Sequence, residues 1–146
     1  MPDGKLYVVS TPIGNLDDIT LRAVNILRDS SLIAAEDTRQ TKKLLNHLNI
    51  SVPMISYFDH NKFQQIPKII DQLKESNDVA LVSDAGTPGI SDPAYRLIRA
   101  AIEEKIQVIS IPGASALLAA LIPSGLPTDR FIFEGFFPQK KGRKKI

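Results

Sequence analysis

The chain has 146 residues, with 18 basic and 16 acidic side chains, a net charge of +2, 43% hydrophobic and 6% aromatic residues. That length supports one domain with a proper core and not two full ones, and 23% charged residues exclude a disordered or collagen-like chain. No apolar run reaches the roughly 18 residues of a membrane helix, the absence of cysteine excludes disulfides, thiolate-zinc sites and thiol nucleophiles, and two histidines leave too few imidazoles for a His-rich metal site, so none is expected. A soluble, cytoplasmic protein without a membrane partner is expected, and because the opening Met-Pro-Asp-Gly-Lys runs straight into a strand-like segment, no secretory or transit peptide is expected either.

In chain order, Leu6 to Val9 reads as a first strand, followed by helical spacing at Leu21, Val24 and Leu27. Leu32 to Ala35 is a second strand, and Asp37 caps a helix over Thr38 to Leu48. Met54 to Tyr57 is a third; the helix after it carries Phe63, Ile66, Ile70 and Leu73, and Pro67 requires that it begin near Gln65 or bend. Val79 to Val82 is a fourth, with Asp92 capping and Pro93 starting a helix through Leu97, Ile98, Ala101 and Ile102. Val108 to Ile111 is a fifth, and Leu117 to Leu121 forms a short helix stopped by Pro123 and Gly125. The near-continuous apolar runs are those of strands buried on both faces, and the intervals suit crossover helices, so the expected fold is α/β with a five-stranded parallel sheet.

Phe131, Ile132, Phe133, Phe136 and Phe137 crowd one stretch that reads as a further strand. Residues 1–123 are therefore expected to form an α/β domain, and 124–146 a linker, first strand and basic tail of a second. From Asp129 onward six basic residues face two acidic ones, leaving 12 basic and 14 acidic in the rest. Lys140, Lys141, Arg143, Lys144 and Lys145 form a cluster that suits a polyanion or only solubility.

In a parallel α/β sheet ligands collect at the carboxyl ends of the strands. Three loops there break at once into glycine and proline: Ser10 to Asp18, Ser83 to Pro93 and Ile111 to Ala116. Such residues either serve the turns alone or let a ligand approach the backbone. GxxxxGK[ST] and GxGxxG are both missing, which disfavours nucleoside triphosphates and NAD and favours a cofactor held by backbone groups.

Ser10 to Asn15 (STPIGN), Ile33 to Arg39 (IAAEDTR), Tyr57 to Asn61 (YFDHN), Val82 to Pro93 (VSDAGTPGISDP), Ile111 to Ser115 (IPGAS) and Phe133 to Lys141 (FEGFFPQKK) together resemble the tetrapyrrole-methylase-like superfamily of S-adenosylmethionine-dependent methyltransferases, and within it the ribosomal small-subunit RNA methyltransferase I branch. The resemblance implies strand order 3-2-4-1-5, two α/β domains with S-adenosylmethionine between them, a homodimer, and 2′-O-methylation of a cytidine ribose in small-subunit ribosomal RNA, the 30S subunit being the partner. Members are about twice this length, so the chain matches the N-terminal domain. Carried over residue by residue, Asp84, Ala85, Gly86, Thr87 and Pro88, with Pro112, Gly113 and Ala114, would hold the cofactor, and Pro12 and Gly14 would line the cleft floor.

A ribose hydroxyl benefits from a base or an orienting neighbour. Glu36, Arg39 and His60 are the catalytic candidates. Arg39 would bind an RNA phosphate or pair with Glu36 or Asp37, His60 has a structural alternative, Asp84 is expected to bond its own loop, and His47 to be solvated. Two alternative readings compete with this one: the same fold acting on a tetrapyrrole or protein, and a non-catalytic module that binds RNA or dimerises.

Overall fold

Strands and helices alternate in the computed structural model, which describes residues 1–138: β1 (Leu6–Val9), α1 (Leu21–Asp29), β2 (Leu32–Ala35), α2 (Thr38–His47), β3 (Met54–Ser56), α3 (Lys62–Lys74), β4 (Val79–Val82), α4 (Ala94–Glu103), β5 (Val108–Ile111) and α5 (Ala116–Leu121). The five strands lie where their apolar runs predict. They form one parallel sheet in the order β3-β2-β4-β1-β5, with Leu6 opposite both Val79 and Val108. This is the order implied by the resemblance.

Connection handedness explains the layering. The chain steps one way across the sheet through α1 and α2, then reverses through α3 and α4, and right-handed crossovers in opposite directions cover opposite faces. Side-chain alternation follows: Ala23, Leu27, Ile33, Ala35, Leu45, Ala80 and Val82 pack together on one face, and Ala34, Ile69, Leu73, Val79, Leu81 and Leu97 on the other.

Local chemistry sets the helix starts. The Thr20 hydroxyl accepts from Ala23 N–H at 3.0 Å, and Asp37 accepts from Arg39 N–H at 2.9 Å. Asp92 accepts from Ala94 N–H, also at 2.9 Å, but Pro93 precedes the first helical residue of α4 rather than occupying it. α3 starts at Lys62, not near Gln65, and runs through Pro67. The interior proline costs about 3 kcal/mol, whereas burying Ile69, Ile70 and Leu73 returns roughly 1.5–3 kcal/mol each, so packing wins.

The strand expected around Phe131 to Phe137 is absent: after a short 3-10 turn at Ile122–Ser124 the described chain has no regular secondary structure. Apolar residues form a strand only where a ladder partner takes their backbone groups, and among the described residues this segment has none.

Candidate cofactor cleft and acidic shelf

The connections leaving β1 and β4, which are adjacent, depart to opposite faces, and this reversal opens a crevice at their carboxyl ends. Three loops meet there. Thr11 and Gly86 exchange two backbone hydrogen bonds at 3.0 Å, forming an isolated antiparallel bridge between parallel strands. The Thr87 hydroxyl donates its single proton to the Ala114 carbonyl at 2.9 Å, so the Ser10 hydroxyl, 2.8 Å from it, must be the donor to Thr87. A relay Ser10 to Thr87 to Ala114 thus joins the ends of β1, β4 and β5. Glycine is required at two of these positions: Gly86 has φ +81°, and a Cβ on Gly113 would sit 2.9 Å from Ser10 Cβ.

Beside the relay lies a cavity of about 130 Å³ whose lining includes Ala85, Gly86, Thr87, Ser115, Phe133 and Phe136. Typical ligand pockets span roughly 300–1,000 Å³, so these residues make one wall of a site. Pro88 is buried behind the loop and Pro112 is exposed. Pro12 lines a separate hollow with Thr11, Gln40, Lys43 and Asp84, and Gly14 stands in open space with φ +143°. After its bridge to Gly86 the β1 loop turns away into a 3-10 turn at Leu16–Asp18 capped by Asn15. Thr11 is 3% exposed and its hydroxyl has no partner among the described residues.

Next to the cleft, at the ends of β2 and β4, Glu36, Asp37, Arg39, Ser56, Phe58 and Asp84 line a second hollow. Asp84 bonds Asp37 N–H at 2.9 Å instead of its own loop, tying the two strand ends together. Partial burial, then the carboxylates of Asp84 and Asp92, raise the pKa of Glu36. Hydrogen bonds from Arg39 hold the Asp37 carboxyl below its usual value. The Arg39 guanidinium grips Asp37 as a fork, Nε to Oδ1 at 3.1 Å and Nη2 to Oδ2 at 3.0 Å, while its side chain is 88% exposed. Of the two partners open to Arg39, Asp37 is the one engaged.

His60 is not in this hollow. It sits on the β3–α3 loop, exposed, edge-on to Phe58 at 6.0 Å between ring centroids. Asp59 pairs with Lys62, and His47 is exposed. Lys140, Lys141, Arg143, Lys144 and Lys145 lie outside the described residues. Sequence reasoning missed Ser10, Ser115, Phe133 and Phe136 as parts of the cleft. A hydroxyl residue at each neighbouring strand end was the available signal for the first two.

Comparisons with known proteins agree on this architecture. The family model "Tetrapyrrole (Corrin/Porphyrin) Methylases" matches residues 5–145. A protein named ribosomal RNA small subunit methyltransferase I from Halalkalibacterium halodurans is 56% identical over 97% of this chain and 49% of its own length. One of the same name from Synechocystis is 58% identical over 94% of this chain and 49% of its own. The chain thus spans about half the length of the curated relatives it matches. A crystal structure of uroporphyrin-III C-methyltransferase from Thermus thermophilus superposes with a TM-score of 0.65 and 22% identity, covering 85% of this chain and 54% of the other, a likeness of fold. Among the described residues no helix is long and apolar enough to cross a membrane.

Proposed function

The chain belongs to the tetrapyrrole (corrin/porphyrin) methylase family, and from that premise we propose that it forms the cofactor-binding half of an S-adenosylmethionine-dependent methyltransferase acting on small-subunit ribosomal RNA. The observation that carries the reading is the Ser10–Thr87–Ala114 relay, which gathers three strand ends at the switch point beside Glu36. The named function of the relatives supplies the RNA.

The donor set suits this cofactor. The cavity wall has hydroxyls at Thr87 and Ser115, apolar surface at Ile90, Leu117, Phe133 and Phe136, and among the described residues no lysine or arginine, as befits a ligand without phosphates. Ala85, Gly86, Thr87 and Ala114 would hold it, with Pro88, Pro112 and Gly113 shaping the loops and Asp84 fixing their approach to β2, while Pro12 and Gly14, expected at the cleft floor, lie on the β1 loop outside this wall. When bound, S-adenosylmethionine supplies an electrophilic methyl group on a cationic sulfur.

The finer reading is transfer to the 2′-oxygen of a cytidine ribose. The Glu36 carboxylate accepts the hydroxyl's hydrogen bond and takes its proton as the oxygen gains the methyl, and its raised pKa makes it a stronger base than an ordinary glutamate. Arg39, already oriented by Asp37, offers its remaining N–H groups to an RNA phosphate, and Lys140, Lys141, Arg143, Lys144 and Lys145 would extend that contact. A cytoplasmic homodimer working on the 30S subunit completes the proposal.

The test is calorimetric titration with S-adenosylhomocysteine, followed by transfer of labelled methyl to unmodified small ribosomal subunits and mapping of the product by resistance to alkaline cleavage. Binding heat, label in the RNA and a protected ribose linkage are expected. Label on a base, or on protein, would move the acceptor; no binding heat would remove the cofactor.

A further inference from the structure

The rim at the end of β3 carries aromatic side chains that no core uses. Phe58 is 36% exposed, Phe63 70% and Tyr95 55%. Each has a cationic or imidazole neighbour: Lys62 Nζ lies 5.3 Å from the Phe63 centroid, the Arg96 guanidinium 5.7 Å from that of Tyr95, and His60 packs on Phe58. Phe58 lines the shelf hollow with Glu36 and Arg39, and the next residue, Asp59, lines the adjoining hollow of Tyr95 and Arg96. The consecutive residues Phe58 and Asp59 thus link the hollow at the proposed acceptor position to the one at the start of α4.

Its charge is unusual for a surface next to RNA. Glu36, Asp37, Asp59, Asp84 and Asp92 outnumber Arg39, Lys62 and Arg96. Asp37 and Asp59 are paired, and Asp92 is engaged by the N–H groups of Gly89 and Ala94. Among the described residues the rim has no excess positive charge for a duplex, whose base faces are hidden in its stack, whereas an unpaired strand also offers base faces that stack on exposed rings. We propose that this rim is a stacking platform for unpaired RNA bases, with Phe58 and Tyr95 as the stacking faces and Arg39 and Arg96 as the flanking phosphate contacts. This rests on the reading that the substrate is RNA.

The experiment is fluorescence anisotropy of a short labelled unstructured oligoribonucleotide and of its duplex, titrated with the protein at several salt concentrations. Phe58→Ala and Tyr95→Ala should each weaken single-strand binding roughly 5- to 150-fold, the equivalent of about 1–3 kcal/mol per stacked base, without changing the salt slope or duplex binding. Tyr95→Phe should bind as the unaltered chain does, and Arg96→Ala should lower the slope by about 0.7. Both rings are surface-exposed, and matching melting curves certify that the variants fold. Alanine variants that bind single strands normally overturn the proposal. So does an equal loss on duplex, or a Tyr95→Ala variant that alters only self-association in sedimentation, which would make the rim a face between copies. Cofactor titration separates this from the previous reading: intact binding heat with no ring dependence sinks the platform alone, and ring-dependent RNA binding without binding heat sinks the cofactor reading alone.

Discussion

Replacing Thr87 by valine keeps the volume and removes one hydroxyl, and the relay gives its cost a definite shape. Ser10 is 2% exposed, so its O–H loses its acceptor and finds no water; a stranded buried donor costs about 1–3 kcal/mol, and the lost bond to Ala114 about 1 kcal/mol more. Thr87→Val should therefore destabilise by about 2–4 kcal/mol, roughly 6–12 °C in melting temperature for a domain of this size. Ser10→Ala loses one bond and strands nothing, because Thr87 still donates to Ala114, and should cost about 1 kcal/mol. Combining the two removes the stranded hydroxyl, so the double variant should be more stable than Thr87→Val alone by about 1–3 kcal/mol. Urea unfolding of the four proteins measures the cycle. Additive losses, or a Ser10→Ala cost equal to that of Thr87→Val, would refute the direction of the relay.

Gly113→Ala should cost about 1–3 kcal/mol, because the new Cβ meets Ser10 Cβ at 2.9 Å and forces the β5 loop outward; melting temperature and binding heat for S-adenosylhomocysteine should fall together. Burial raises the Tyr57 phenol to about 12 from the usual 10. The folded state then holds the proton that the unfolded state releases, so stability is intact below pH 10 and is lost as pH rises towards 12; Tyr57→Phe should remove its part of that alkaline loss in urea midpoints, and lose the bond to Pro93 O at 2.5 Å at every pH. The raised pKa of Glu36 likewise means that its stability contribution is present below the unfolded pKa and lost as pH rises through the folded one. Glu36→Gln should therefore be at least as stable as the native chain at pH 7 while methyl transfer falls, and a variant losing both equally would make Glu36 structural.

The inner strands β1, β2 and β4 were legible because a strand covered on both faces has no room for polar residues, as Val79 to Val82 shows; the edge strands β3 and β5 are less covered than expected and carry Ser56 and Ser110, and only their remaining apolar residues marked them. Glycine and proline at the strand ends marked the loops for the same local reason. Strand order was not legible from periodicity, which is blind to which run lies beside which; only the resemblance supplied it. The same blindness hid the bond from Asp84 to Asp37, 47 residues apart in sequence, and the approach of Phe133 and Phe136 to Gly86. Phe131 to Phe137 forms no strand among the described residues because a strand also needs a ladder partner, which the density of apolar side chains does not report. Pro67 was undecidable locally, since burial of Ile69, Ile70 and Leu73 settles it from outside the helix.

The two-way bond between Thr11 and Gly86 acts as a buckle on the mouth of the crevice. Backbone amides at those two positions exchange with solvent only when the buckle springs. The loops leaving β1 and β4 are thus fastened to each other where they part, and exchange at Thr11 and Gly86 is a clock for any opening between them.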